Sequence, residues 1–185
     1  LKNYQPDYHT VIPEKLIGFG RKRNALRDII LCIDQSGSMA SSVVYASVFG
    51  AVLASLRAVQ TRMVVFDTAV ADLTDDLDDP VDLLFGVQLG GGTDINRALA
   101  YCQTLLQQPQ ETILILISDL YEGGNRQEML KRVAAISGAG VQVISLLALD
   151  DRGRPSYDSS IASIFAGMEK ALDKVSNLNE DRVLR

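Results

Sequence analysis

The sequence has little of the chemistry that most catalytic sites require. Its 185 residues include one histidine, His9, near the start of the chain. A Ser-His-Asp triad would have to recruit that residue, so hydrolysis by such a triad finds no support. No Walker A sequence and no G-x-G-x-x-G sequence follows an apolar run, so nucleotide binding finds no support either.

Cysteines and long hydrophobic runs are equally scarce. The two cysteines, Cys32 and Cys102, are too few for a disulfide framework, and both lie in apolar surroundings. We interpret them as reduced, buried thiols, which fit a cytoplasmic protein. No apolar run reaches the roughly 18 residues that a membrane span requires, so we expect no membrane span.

The formal net charge is −5, but it is unevenly distributed. Residues 1–27 hold six basic and two acidic side chains, a net charge of +4, and the remainder carries −9. An acidic body repels a phosphate backbone, so we expect no nucleic-acid partner. We predict a basic N-terminal arm or linker over residues 1–27 and one domain over residues 28–185.

Apolar, strand-like runs alternate with helical segments beyond the arm. Strands are predicted over 28–34, 61–66, 69–74, 112–118 and 141–149. Helices are predicted over 39–59, 79–87, 125–140 and 159–176, and a glycine turn followed by a helix is predicted over 90–106. This alternation with short connections predicts an α/β fold, a doubly wound, mostly parallel sheet with helices on both faces. Ligands of such folds bind at the carboxyl ends of the strands.

Polar residues occur where three of these segments meet loops. DQSGS follows the first strand, GGGTD opens a helix, and SDLYEGG follows the strand over 112–118. Alternate residues of an extended segment point the same way, so the oxygens of DQSGS can face one cation together. The site residues are Asp34, Ser36, Ser38, Thr93 and Asp119. Two carboxylates and three hydroxyls suit a hard cation, Mg²⁺ or Mn²⁺.

These motifs resemble those of von Willebrand factor A (VWA) domains, also called integrin I-type domains. DQSGSM is similar to the DxSxS motif of that family, GGTDI to its threonine loop and SDL to its aspartate loop. Together they resemble a metal-ion-dependent adhesion site (MIDAS), and the resemblance covers roughly residues 28–150. It implies a Rossmann-like, six-stranded sheet with one antiparallel edge strand, here AVADLT.

The resemblance also implies a role for each site residue. Ser36 and Ser38 would ligate the metal directly, and Thr93 would do so in the ligand-bound state. Asp34 and Asp119 would act directly or through water. One departure is that SDLYEGG stands where many members have TDG, so Leu120 and Tyr121 would shape the rim differently.

The family's usual partner supplies an Asp or Glu side chain to the sixth metal position. The chain resembles the cytoplasmic, bacterial type of VWA protein that works beside MoxR-type AAA+ ATPases as an adaptor. We therefore expect a Mg²⁺-dependent protein-binding module and not an enzyme.

Several alternatives compete with this interpretation. Ser36 or Ser38 could cap the following helix, and Thr93 or Asp94 could cap the helix after GGG. The Asp-rich segment 72–82 is either a solvated acidic loop or a second cation site. The rival function is a Mg²⁺-dependent phosphohydrolase or phospho-acceptor domain. Its patterns require an Asp in place of Ser36, or a Lys after the last strand, where the chain reads ALDDRG. A scaffold with a vestigial site is the third possibility.

Overall fold

The computed structural model describes residues 4–5, 10–11, 28–39, 52, 60–76, 91–149 and 152–168. Most of the helix predicted over 39–59 and all of the helix predicted over 79–87 lie outside these ranges. The N-terminal arm is described at two short strands only, β1 (Tyr4–Gln5) and β2 (Thr10–Val11), which pair antiparallel. The division into arm and domain therefore remains a prediction.

The sheet that organises the domain has five strands among the described residues. They are β3 (Asp28–Asp34), β4 (Gln60–Phe66), β5 (Val70–Asp72), β6 (Thr112–Ser118) and β7 (Gln142–Leu147). Their order is β5-β4-β3-β6-β7, and every pair is parallel except β4 with β5. The α/β class and the antiparallel edge strand are thus confirmed. The family resemblance implied a sixth strand, but the sequence patterns assigned only these five segments.

Both faces of the sheet are buried, which explains the unbroken apolar runs of its central strands. Ile30 and Cys32 of β3 belong to a core on one face, and Ile29 and Leu31 belong to a core on the other. The first core also contains side chains of helices α1 (Ile95–Leu105) and α2 (Arg126–Gly138) and of the helical residues 159–168. None of the helices in the described ranges is long and apolar enough to cross a bilayer.

The strand order creates a topological switch point between β3 and β6. These two strands are neighbours, yet the chain leads from β3 to β4 on one side and from β6 to β7 on the other. Loops that leave two such strands diverge and open a crevice at the carboxyl edge of the sheet, where α/β proteins bind ligands. Asp34 ends β3 and Ser118 ends β6, so both lie at this crevice.

Candidate functional site

Asp34 connects the ends of the two strands at the switch point. Its side chain is 0 % exposed, and Oδ2 accepts a hydrogen bond of 2.6 Å from the hydroxyl of Ser118. Its other oxygen, Oδ1, accepts from the backbone N–H of Ser36 at 2.9 Å. The Ser118 hydroxyl in turn accepts from the backbone N–H of Leu120 at 3.0 Å. Asp34 is therefore fixed by groups from both strand exits.

Ser36 and Ser38 present their hydroxyls side by side. The chain turns through a short 3₁₀ segment, Gly37–Met39, and the two Oγ atoms lie 3.2 Å apart. Ser36 is buried and Ser38 is exposed, while Met39 anchors the turn in the core. The alternative that a serine caps the following helix concerns residues outside the described ranges.

Thr93 lies in the glycine loop that leads into α1. Asp94 caps this helix, since its Oδ1 accepts from the N–H of Arg97 at 2.8 Å. Of the two candidates for capping α1, Asp94 is therefore the N-cap. The hydroxyl of the buried Thr93 is not needed for this role. The carbonyl of Thr93 accepts from the N–H of Gly123 at 2.9 Å.

Asp119 lies in a tight turn after β6. It is 2 % exposed, and its Oδ1 accepts from the N–H of Tyr121 at 3.1 Å. Between them, Leu120 has a φ of 60°, a left-handed conformation that costs a branched residue roughly 1–2 kcal/mol. Its fully buried side chain anchors the turn, while Tyr121 is 53 % exposed beside the site. Of the two residues predicted to shape the rim, Tyr121 is exposed, whereas the prediction is wrong for Leu120, whose side chain is buried in the core.

The three loops are hydrogen-bonded to one another in a closed ring. Gly37 of the first loop donates to the carbonyl of Gly91 in the glycine loop at 3.4 Å. The glycine loop meets the aspartate loop through Thr93 and Gly123, and the aspartate loop meets the first through Ser118 and Asp34. Four of the five predicted site residues lie on these three loops, and Asp34 is the last residue of β3, directly before the first loop.

The site contains two buried carboxylates that no basic side chain of the described residues balances. Neither Asp34 nor Asp119 forms an ion pair with any residue in the described ranges. Burial raises the pKa of Asp34, the bonds from Ser118 and Ser36 oppose that rise, and the charge of Asp119 adds to it. A cation between the loops would favour both ionised carboxylates, because an opposite charge offsets their desolvation.

The donor set determines which kind of cation these residues fit. In the part of the chain that the structure describes, no three His, Cys, Asp or Glu side chains form a metal-binding group. Any cation here would therefore depend on the hydroxyls of Ser36, Ser38 and Thr93 together with the two carboxylates. Such an all-oxygen set fits Mg²⁺ or Mn²⁺ and does not fit Zn²⁺.

The predicted site omits three polar residues of this edge, Ser118, Asp67 and Glu122. Ser118 is the last residue of β6, as predicted, and its hydroxyl also binds Asp34. Asp67 directly follows β4 and is buried, and it accepts from the backbone N–H groups of Ala69 and Gly91. Its position, a polar residue directly after a buried strand, was a signal that could have identified it.

Comparison with known proteins agrees with this fold. Residues 6–184 match the sequence profile of the VWA_CoxE family, described as VWA domain containing CoxE-like protein. The chain therefore belongs to this family, and the resemblance to VWA domains is confirmed.

One curated relative is uncharacterized protein YehP of Escherichia coli K12. It is 45 % identical over 134 residues, which are 72 % of this chain and 35 % of YehP. The chain thus spans about a third of the length of this relative. The relative's name assigns no activity.

Solved structures show the same fold at low sequence identity. An aerotolerance-related membrane protein of Bacteroides fragilis has a TM-score of 0.60 at 14 % identity, over 77 % of this chain and 87 % of that one. BatB of Bacteroides thetaiotaomicron has a TM-score of 0.60 at 17 % identity, over 78 % of this chain and 87 % of that one. A von Willebrand factor type A protein of Catenulispora acidiphila has a TM-score of 0.52 at 15 % identity, over 65 % of this chain and 32 % of that one.

Proposed function

We propose that this domain is a metal-dependent protein-binding module. Mg²⁺, or Mn²⁺ in its place, would be held by Asp34, Ser36, Ser38, Thr93 and Asp119. The observation that carries the proposal is the pair of buried carboxylates, Asp34 and Asp119, which have no basic partner among the described residues. They lie beside three hydroxyl-bearing residues on loops that are hydrogen-bonded to one another.

The ligand types indicate what the site binds. A bound Mg²⁺ supplies Lewis acidity toward an oxygen of an incoming group. The hydroxyls of Ser36, Ser38 and Thr93 are neutral, so the ion keeps more of that acidity than it would among carboxylates alone. We propose that the incoming group is the carboxylate of an Asp or Glu on a partner protein.

The wider role of the module is a further part of the proposal. We propose that it works in the cytoplasm as an adaptor in a MoxR-type AAA+ ATPase system. Membership in the CoxE-like VWA family supports a role in protein interaction. The free, buried Cys32 and Cys102 are compatible with a reducing compartment.

Calorimetric titration of EDTA-treated protein with MgCl₂ and MnCl₂ tests the metal site. We expect saturable binding in the wild type and none in an Asp34→Ala, Ser36→Ala double variant. An Asp72→Ala, Thr74→Ala double variant is the matched control. Asp72 also accepts hydrogen bonds from a nearby backbone N–H and a nearby hydroxyl, both of Thr74. This pair lies on the edge strand β5 and the turn that follows it, not at the candidate site.

Three outcomes would contradict the proposal. Wild-type protein without affinity for either metal would exclude the site, and loss of binding in the control alone would move the cation to the Asp-rich segment. Phosphatase turnover that depends on Asp34 would favour the Mg²⁺-dependent enzyme.

A pull-down tests partner binding once metal binding is established. The wild-type protein should recover partners in MgCl₂ but not in EDTA, and Asp34→Ala should recover none in either condition.

A further inference from the structure

Two carboxylates from neighbouring loops hold the backbone on either side of Thr93. Oδ2 of Asp67 accepts from the N–H of Gly91, two residues before Thr93, at 3.1 Å. Oε2 of Glu122 accepts from the N–H of Ile95, two residues after Thr93, at 2.8 Å. Asp67 follows β4 and Glu122 follows β6, so the bonds reach the glycine loop from two different strand exits.

Asp67 is built into this position by close packing. Its side chain is buried, its Oδ1 accepts from the N–H of Ala69 at 2.6 Å, and its own carbonyl accepts from the N–H of Asp94 at 2.8 Å. A Cβ atom on Gly91 would lie 2.6 Å from Oδ2 of Asp67, closer than real Cβ atoms come. A side chain at position 91 would therefore force this carboxylate or the loop to shift.

Glu122 makes the corresponding contact on the other side. Its Oε1 accepts from the N–H of Gly124 at 2.9 Å while Oε2 binds the start of α1, so one carboxylate joins two loops. A Cβ atom on Gly123 would lie 2.7 Å from the carbonyl oxygen of Thr93, so this approach also requires glycine. Asp94 accepts from the N–H of Arg97, so Glu122 satisfies a different free N–H group at the start of α1, and it does so from another loop.

We infer that Asp67 and Glu122 are positioning residues that fix the Thr93 loop between the ends of β4 and β6 and thereby hold Thr93 for the cation. This inference rests on the proposed function. Both carboxylates act through hydrogen bonds to backbone N–H groups, and neither forms an ion pair with a residue that the structure describes. Each uses its two oxygens for two different N–H groups, so an amide, with one acceptor oxygen, can replace only half of the contact.

Calorimetric titration with MnCl₂ in excess sodium acetate tests the role of Glu122 through Thr93, because acetate supplies the carboxylate of the ligand-bound state in which Thr93 is expected to bind the metal. Loss of a residue that orients a metal ligand lowers metal affinity by roughly 10- to 100-fold, so we expect Glu122→Ala to fall in this range. Glu122→Gln should fall between Glu122→Ala and the wild type. In a Thr93→Ala background, Glu122→Ala should change the affinity less than about 2-fold, because the residue acts only through Thr93. Asp67→Ala and Asp67→Asn should follow the same pattern.

Asn125→Ala is the matched control. Asn125 also accepts from two backbone N–H groups, those of Gln127 and Glu128, but it caps α2, which carries no predicted ligand. We expect this variant to lose stability and to keep the Mn²⁺ affinity of the wild type.

Amide hydrogen exchange in metal-free protein gives an independent readout. Glu122→Ala should accelerate exchange at Ile95, and Asp67→Ala should accelerate it at Gly91, whereas Asn125→Ala should affect neither amide.

The outcomes separate the inference from the proposed function. Wild-type protein that binds no Mn²⁺ contradicts the proposed function. Wild-type binding that Glu122→Ala leaves unchanged, or lowers equally with and without Thr93, contradicts the positioning role alone. Unchanged exchange at both amides also contradicts it.

Discussion

The hydroxyl of Ser118 donates a hydrogen bond of 2.6 Å to Oδ2 of Asp34, although the two residues are 84 positions apart in the sequence. The bond joins the carboxyl ends of β6 and β3, the two strands at the switch point of the sheet. The bond gives the buried carboxylate of Asp34 a hydrogen-bond donor. No basic side chain of the described residues forms an ion pair with Asp34. The core of the fold and the candidate site therefore share this contact.

Ser118→Ala should destabilise the protein. The substitution leaves Oδ2 of the buried Asp34 without this donor, and the loss of one partner of a buried hydrogen bond costs about 1–3 kcal/mol. Urea unfolding of the metal-free protein measures the change. Thr104→Ala is the control, because its hydroxyl donates to the carbonyl of Tyr101 on the exposed side of α1 and its loss should cost less than about 0.5 kcal/mol. An equal loss of unfolding free energy in the two variants would show that the Ser118 bond contributes no more to stability than an exposed hydrogen bond.

Gly123→Ala should weaken the contact between the glycine and aspartate loops. The new Cβ would lie 2.7 Å from the backbone carbonyl of Thr93, so one of the loops must shift. We expect a loss of about 1–3 kcal/mol in the free energy of unfolding, as for other overpacked sites, together with weaker Mn²⁺ binding. At Gly138, the last residue of α2, a Cβ would meet nothing within 4 Å, so Gly138→Ala should keep both properties or gain up to about 1 kcal/mol. Wild-type behaviour of Gly123→Ala would refute the close approach of the loops.

Tyr101→Phe should lower stability in a pH-dependent way. The Tyr101 hydroxyl donates to Oδ2 of Asp72 at 2.7 Å, and Thr74 donates to Oδ1. Burial alone would raise the pKa of Asp72, but the bonds from Thr74 and Tyr101 outweigh it and lower the pKa. The stability that the ionised Asp72 provides is therefore present above the ordinary Asp pKa and is lost as the pH falls through the lowered one.

Urea unfolding at neutral pH and in acid measures this difference. We expect Tyr101→Phe to cost roughly 0.5–1 kcal/mol at pH 7, since the pair is exposed, and less once Asp72 is protonated. Tyr121→Phe removes the hydroxyl of an exposed tyrosine and should show no such pH dependence. A penalty for Tyr101→Phe that stays constant with pH would argue against the role of Asp72.

Cys32 and Cys102 should resist alkylation in the folded protein. Both thiols are free and buried in the same core, one on β3 and one on α1. The hydrogen bond with Cys102 and burial raise the pKa of Cys32 well above its ordinary value, so the reactive thiolate is disfavoured. Mass spectrometry after iodoacetamide treatment should find both residues unmodified in buffer and modified in urea. Rapid modification in buffer would contradict the burial of these thiols.

The central strands were predictable because burial on both faces requires continuous apolar residues. The apolar runs over 28–34 and 112–118 end at the polar residues Asp34 and Ser118. The observed strands have the same bounds. The edge strand was predicted over 69–74 and is observed over Val70–Asp72. Its end is shorter because Thr74 turns back to bond Asp72, a local competition that alternation alone does not reveal.

The positioning contacts were not predictable from local patterns. Asp67 binds the N–H of a residue 24 positions away, and Glu122 binds one 27 positions away. A carboxylate that will accept from a distant backbone N–H has the same local sequence as one that will remain in solvent. Only the packing of the loops decides which of the two occurs.

The sequence by itself determined the alternation of strands and helices, and it determined which strand exits carry the oxygen-bearing side chains. Hydrophobic burial and side-chain chemistry are properties of each segment, and each segment displays them locally. The tertiary structure alone decided that the three loops close into a ring and that Asp67 and Glu122 hold the backbone around Thr93. Those contacts depend on the strand order and on approaches so close that a Cβ atom at Gly91 or Gly123 would force a shift.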